Sequence, residues 1–434
     1  MRYEHTETEN VSCSLICVGR DSLAVLYENR TKEKRKGIGV AVMHSDSNYM
    51  TFSAGTELAE RGFTVMCASV HSSQPLMMKM MTVKGMVEHL RSLPGIEKVF
   101  LFGHSGGATL MSGYQNVAEN GASVFQKPGL IVQFPDKIPG PPGFGVAKLD
   151  LIPADGVMLI DPNWGNAVMC MFGLDGALME EGNPDSIDPE LDMFNPKNGF
   201  DPEGCHYSEE FLRKYQNAQG ERMNRLIAYA LDRETLIRAG KGFYEDEEPF
   251  LITGGGNSFF NNRLFAQDTT LFSSTKKEYL LLKKDGQTSM EIIKTVRKPY
   301  NWRSMTRNYR EGMLRTTISG FLDSWCVRTD HMYYDATSVY GVDWDSSYST
   351  STGNIKGVKA PLLLMGMTGG CEFACVEGIA ERATSDDVTI AFVEGATHMY
   401  CPDRGNEEKY GDTLKTTYDY VGKWMEKQLE DNNI

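Results

Sequence analysis

Nothing in this sequence approaches the roughly 18 consecutive apolar residues that a membrane-spanning helix needs. The opening residues, Met1-Arg2-Tyr3-Glu4-His5-Thr6-Glu7, lack the apolar core of a secretory signal. No tract is of low complexity and no segment repeats. Positive charge is also scarce. The 44 Lys and Arg stand against 58 Asp and Glu, for a formal net charge of −14, which argues against tracking a phosphate backbone or adhering to an anionic membrane. The nine Cys are odd in number and lack framework spacing, so they do not read as a disulfide scaffold. These absences predict a cytoplasmic chain with free thiols and with neither nucleic acid nor membrane as partner.

What is present is ordinary globular material. The chain has 434 residues, 41% hydrophobic and 24% charged, enough to bury a sizeable core without staples. Val11–Val18 and Ser22–Tyr27 read as strands around a turn at Gly19-Arg20-Asp21, and Ile38–Met43 is a buried apolar run. A helix over Met50–Arg61 ends at Gly62, and a strand follows over Phe63–Val70. Val83–Leu93 is amphipathic, with Val83, Met86, Val87 and Leu90 on one face. Lys98–Phe102 and Gly156–Ile160 are strands, and Pro139–Gly145 is a loop. Strands over Pro361–Met365 and Val388–Val393 flank a helix over Val376–Ala383. Thr413–Leu429 closes the chain as an amphipathic helix. The pattern predicts an α/β fold: a mostly parallel, buried central sheet with helices on both faces.

Between 171 and 345 the alternation breaks. Ser208–Ala239 and Met305–Val327 have helical periodicity, and Glu278–Leu282 and Ser289–Val296 are β-rich segments around an Asp285-Gly286 turn. This predicts a large mixed α/β cap inserted into a core made of 1–170 and 346–434. The Met-rich stretch Met77, Met78, Met80, Met81 and Met86 suits helix packing or an adaptable apolar wall. Gly254-Gly255-Gly256 fits neither a phosphate loop nor a dinucleotide fingerprint.

The chemistry centres on Gly103-His104-Ser105-Gly106-Gly107. A strand precedes it and the helix-compatible run Ala108–Met111 follows, the setting that G-x-S-x-G requires. Such a turn holds the Ser strained and projects its hydroxyl, and Gly on either side keeps Cβ atoms out. A Ser hydroxyl needs a base. His398, after the last strand and before the final helix, is the candidate, while the other His have no metal-ligand spacing. Glu372, the one carboxylate in the loop after Pro361–Met365, is the expected acid, with Asp161 at the end of Gly156–Ile160 as the alternative. The backbone N–H of Gly106, with that of Asp46 or Ser45, is expected to form the oxyanion hole, although His44-Ser45 stands where His-Gly is frequent.

On Gly103–Gly107, Glu372, His398 and their chain order, the sequence resembles the α/β-hydrolase superfamily over about 1–170 and 346–434. The resemblance implies that fold, a Ser–acid–His triad, no cofactor and no metal. It further implies hydrolysis of a carboxylic ester, thioester or lactone of a small to medium organic molecule through an acyl-Ser105 intermediate. Carbon–carbon hydrolysis of a diketone-like substrate with the same triad is a second expectation, and a non-catalytic small-ligand receptor a third. The oligomeric state is left open, a homo-oligomer included.

Overall fold

The computed structural model describes residues 7–18, 22–71, 73–134, 149–201, 204–253, 263–299 and 313–430. The turn at 19–21, the 139–145 loop, the glycine run 254–256 and the first part of the helix expected from Met305 lie outside them. The strands are β1 (Val11–Val18), β2 (Ser22–Asn29), β3 (Ile38–Val42), β4 (Thr64–Ala68), β5 (Lys98–Ser105), β6 (Gly156–Pro162), β7 (Pro249–Thr253), β8 (Ser274–Leu282), β9 (Thr288–Lys294), β10 (Met313–Thr317), β11 (Thr329–Tyr334), β12 (Val339–Val342), β13 (Leu362–Met367) and β14 (Val388–Val393).

Ten of them form one sheet in the order β1-β2-β4-β3-β5-β6-β13-β14-β8-β9. β2 runs antiparallel to both β1 and β4. From β4 through β3, β5, β6, β13 and β14 to β8 every pairing is parallel. The central strands are apolar throughout because both faces are covered, as a parallel sheet requires. Their side chains alternate between two cores. Val40, Val42, Phe100, Phe102, Met158 and Ile160 enter one. Ala41, Leu101, Leu159, Leu362 and Leu364 enter the other.

Helices cover both faces. On one lies α1 (Ser53–Glu60) beside the closing helix Thr413–Glu430, where Tyr418, Val421 and Met425 of the expected stripe are fully buried and Leu414 and Leu429 partly so. On the other lie α2 (Leu76–Ser92) and α3 (Gly107–Asn120). α2 begins before the expected Val83, and the Met-rich stretch forms its first turns. Met77, Met80 and Met86 join the core, with Met78 and Met81 packed against it.

In the block 171–345, α5 (Glu209–Arg238) matches the expected helix. Ser208 caps it by accepting the Phe211 N–H at 3.1 Å. The turn at Asp285-Gly286 forms with Asp285 at φ 60, and the β8–β9 hairpin it joins extends the central sheet beyond β14. The described part of Met305–Val327 corrects the helical expectation. Met313–Thr317 is a strand paired antiparallel with β7, and helix starts only at Ile318. Among the described residues no helix is long and apolar enough to cross a membrane.

Candidate active site

β5 ends in Ser105, which takes φ 54, a left-handed conformation that a side chain resists. The sharp turn into α3 works because its neighbours lack side chains. A Cβ on Gly103 would lie 2.8 Å from the Gly107 carbonyl oxygen, and one on Gly106 would lie 2.6 Å from Ser45 Oγ. Asp161, at the end of the adjacent strand β6, is also left-handed at φ 49. Ser105 and Asp161 therefore leave neighbouring strand ends, where the Ser105 carbonyl accepts the Asn163 N–H at 3.3 Å.

His398 lies in the loop after β14. That loop is tied to the one after β13, because Gly369 N–H donates to Ala396 O and Gly395 N–H to Thr368 Oγ1, both at 2.8 Å. His398 Nδ1 is 2.6 Å from Asp161 Oδ2 and 2.8 Å from Glu372 Oε2. Both carboxylates weighed from the sequence thus meet the same nitrogen. Met367 N–H donates to Asp161 Oδ1 at 2.9 Å, fixing that carboxylate from β13. With Nδ1 so engaged, Nε2 is the ring nitrogen that remains.

The three groups perturb one another. Burial alone would lower the His398 pKa, but the Glu372 and Asp161 carboxylates outweigh it and raise it to about 10. Burial pushes Asp161 up to about 6; His398 pulls it down and Glu372 pushes it up again. Glu372 is itself buried, which would raise it, yet His398 and the Arg263 guanidinium hold it below the ordinary carboxylate range.

His104 backs this arrangement. Its Nε2 donates to the His398 carbonyl at 2.7 Å, so its Nδ1 accepts the Tyr49 hydroxyl proton at 2.6 Å. Burial, and next the charge on His398, hold His104 well below its ordinary pKa, so it is neutral. Ser105 and His398 line one cavity of about 420 Å³ together with His44, Asp46, Gly106, Asn163, Asn166, Arg263 and Glu372. A larger hollow of about 640 Å³, bordered by Asp188, Lys197 and Glu221, holds no such constellation.

The oxyanion side differs from expectation. Gly106 N–H donates to His44 Nε2 at 3.1 Å, so Nε2 is the acceptor of that ring and Nδ1 carries its proton, 3.1 Å from the Asp46 and Ser47 nitrogens. Asp46 Oδ1 is 2.6 Å from that same Nδ1. Gly106 N–H is therefore taken up by the loop after β3, and Ser45 presents its hydroxyl, which accepts from Asn166 Nδ2 at 2.8 Å. Tyr49, His104, Asn163, Asn166 and Arg263 carried no motif that could have singled them out.

Among the described residues, the acidic, thiol and imidazole groups whose ligand atoms converge within 4.8 Å are those of His104, Asp161 and His398. Both His104 ring nitrogens are taken up, by the His398 carbonyl and by Tyr49, and His398 Nδ1 is taken up by Asp161, an arrangement suited to passing protons rather than to gripping a cation.

No family model and no curated protein matches the sequence. The structure is similar to Est1E from Butyrivibrio proteoclasticus, with 10% identity over 97% of this chain and 100% of that one and a TM-score of 0.39. It is similar to an alpha/beta hydrolase, GrgF, from Penicillium sp. sh18, at 8% identity over 95% and 98% with a TM-score of 0.41. A carboxyl esterase 2 from Tuber melanosporum is alike at 11% identity over 98% and 89%, with a TM-score of 0.39. The strand order, with β2 antiparallel to both its neighbours and β4 through β8 parallel, the left-handed Ser at the end of β5 and a His after β14 give this chain the α/β-hydrolase fold.

Proposed function

We propose that this chain is a serine hydrolase that cleaves a carboxylic ester, thioester or lactone of a small to medium organic molecule. The observation that carries this is the pairing, around one cavity, of a left-handed Ser105 with an imidazole whose far nitrogen is held by two carboxylates. His398 Nε2 takes the Ser105 proton as Oγ attacks the carbonyl carbon. Asp161 and Glu372 stabilise the imidazolium that forms. The oxyanion lies toward the N-terminus of α3, where the helix dipole favours negative charge, and would draw the Gly106 N–H away from His44 Nε2. His398 returns the proton to the leaving group, and a water that it deprotonates releases the acyl group. Arg263, from the block 171–345, lines the cavity and supports a capping role for that block.

A fluorophosphonate probe tests this directly. Wild-type protein should be labelled at Ser105, and Ser105→Ala should lose both labelling and turnover of short acyl esters while its thermal melt is retained. Wild-type protein that resists the probe, or turnover that survives in Ser105→Ala, refutes it.

A further inference from the structure

The backbone donor expected at the oxyanion site, Gly106 N–H, is taken up by His44 Nε2 at 3.1 Å, and the Asp46 and Ser47 amides of the loop after β3 face the same ring. Beside it stands a side chain with the opposite problem. Asn166 opens helix α4 (Asn166–Gly173), is 2% exposed and lines the cavity that holds Ser105. Its backbone N–H is fixed by Thr109 Oγ1 at 3.2 Å. With Nδ2 donating to Ser45 Oγ, Oδ1 is buried without a hydrogen-bond partner. That oxygen lies against the nucleophile turn, since a Cβ on Gly106 would come within 2.7 Å of it.

A buried carbonyl oxygen without a donor is destabilising by a full desolvation penalty. The two ends of an amide have the same shape, and hydrogen-bond demand decides which is which. Rotating the amide by half a turn lets Oδ1 accept the Ser45 O–H, so that the unpaired group is a donor in place of an acceptor. It also turns Nδ2 toward the space over Gly106. An N–H there is without a protein acceptor only until an oxyanion forms. We infer that the Asn166 side-chain amide, with Nδ2 turned to the cavity, is an oxyanion donor at the turn whose own backbone N–H the 43–48 loop takes up through His44. This rests on the serine-hydrolase proposal. The donor serves the transition state in particular, because the flat substrate carbonyl does not yet carry the charge that it stabilises.

The test compares wild-type, Asn166→Ala and Asn166→Asp on p-nitrophenyl acetate, with phenylboronic acid as a tetrahedral probe. Removing one such donor should lower kcat by about 10²–10³-fold. KM should change little, and phenylboronate affinity should fall in parallel. Asn166→Asp keeps the shape and removes the donor, so it should be at least as impaired. If wild-type protein is labelled at Ser105 by a fluorophosphonate while both variants keep kcat and phenylboronate affinity within about threefold of it, the inference is overturned and the hydrolase proposal stands. Absence of wild-type labelling sinks the hydrolase proposal and this inference with it. Should the Asn166 variants fail to fold, Ser45→Ala carries the test: loss of the hydroxyl that orients the amide should lower kcat on the order of tenfold, and an unchanged kcat overturns the inference.

Discussion

His398 with two carboxylates on one nitrogen governs how the site should respond to pH. A general base must be unprotonated, and the Glu372 and Asp161 charges raise the His398 pKa to about 10. The rate of Ser105 acylation in the wild type should therefore climb with pH well into the alkaline range. Glu372→Gln removes one anion from the imidazole, so the His398 pKa must fall and the acidic limb of kcat/KM must move to lower pH. It also removes a like charge from beside Asp161, lowering that carboxyl from about 6. A pH profile of kcat/KM for the two proteins checks both signs, and a limb that stays put would show that Glu372 does not act on His398. The same shift bears on stability. A His whose folded pKa is raised above about 6.5 contributes stability that is fully present below pH 6.5 and lost as pH approaches 10. His398→Ala should therefore lose less thermal stability than wild type between pH 7 and pH 10. At this scale the sequence was informative about position: Ser105 ends β5 within its motif, and His398 lies in the loop after β14, where chain order put it. It favoured Glu372 over Asp161, whereas both carboxylates reach the same nitrogen. It was silent on Asn166 and gave His104 no role beyond its place in the motif, because both act through contacts made over long stretches of chain.

The elbow shows how an element imposes residue types. Gly103 is needed for space: a Cβ there would lie 2.8 Å from the Gly107 carbonyl oxygen and 3.0 Å from Ala108 Cα, both backbone and unable to swing aside. Gly103→Ala should cost about 1–3 kcal/mol by overpacking, measured by urea unfolding, and should lower turnover as Ser105 is displaced. The same change at Gly121, where nothing lies within 4 Å, meets no such obstacle, although its φ of 81 strains any side chain. The elements read from periodicity were the long ones: the central strands, α5 and the closing helix. Met313–Thr317 misled the eye because Met-Leu-Arg-Thr-Thr is compatible with a helix repeat, and only its pairing with β7, some sixty residues earlier in the chain, makes it a strand. Arg222 on α5 illustrates the same non-local logic. Its side chain is fully buried, its guanidinium grips both Glu181 oxygens at 2.7 Å, and it donates to the Thr253 carbonyl at 2.6 Å and the Asp175 carbonyl at 3.2 Å. Arg222→Ala strands buried carbonyls and should cost about 2–3 kcal/mol. Glu181 remains half in water, which limits the loss. Hydrogen exchange should report the loosening first along α5.

For the whole molecule, the decisive fact is how the block 171–345 meets the rest. The sheet face covered by α2 and α3 does not end at the block. Met80, Val83 and Met86 of α2 belong to one continuous apolar core with Phe172, Phe265, Phe272, Phe321 and Tyr334. Trp164, just after β6, stacks on Trp344 at 5.8 Å and meets Phe272 at 5.9 Å. β8 pairs with β14, so the block also supplies strands to the central sheet. A lid that folded by itself would carry a core of its own, whereas here the separation would expose large aromatic area on both sides, at roughly 25 cal/mol per Å². Sequence periodicity registered the break in pattern but not the shared core, because apolar residues carry no mark of the partner they will bury against. The expected consequence is cooperative unfolding. Trp424 reports the opposite face of the sheet, where it meets Phe100 at 5.5 Å. Tryptophan emission from variants that keep either Trp424 or the Trp164–Trp344 pair should therefore show the same urea midpoint, coincident with loss of far-ultraviolet circular dichroism. Two separated midpoints, with the Trp164–Trp344 signal lost first, would mean that the block comes away as a unit and that its apolar interface with the sheet is weaker than its area implies.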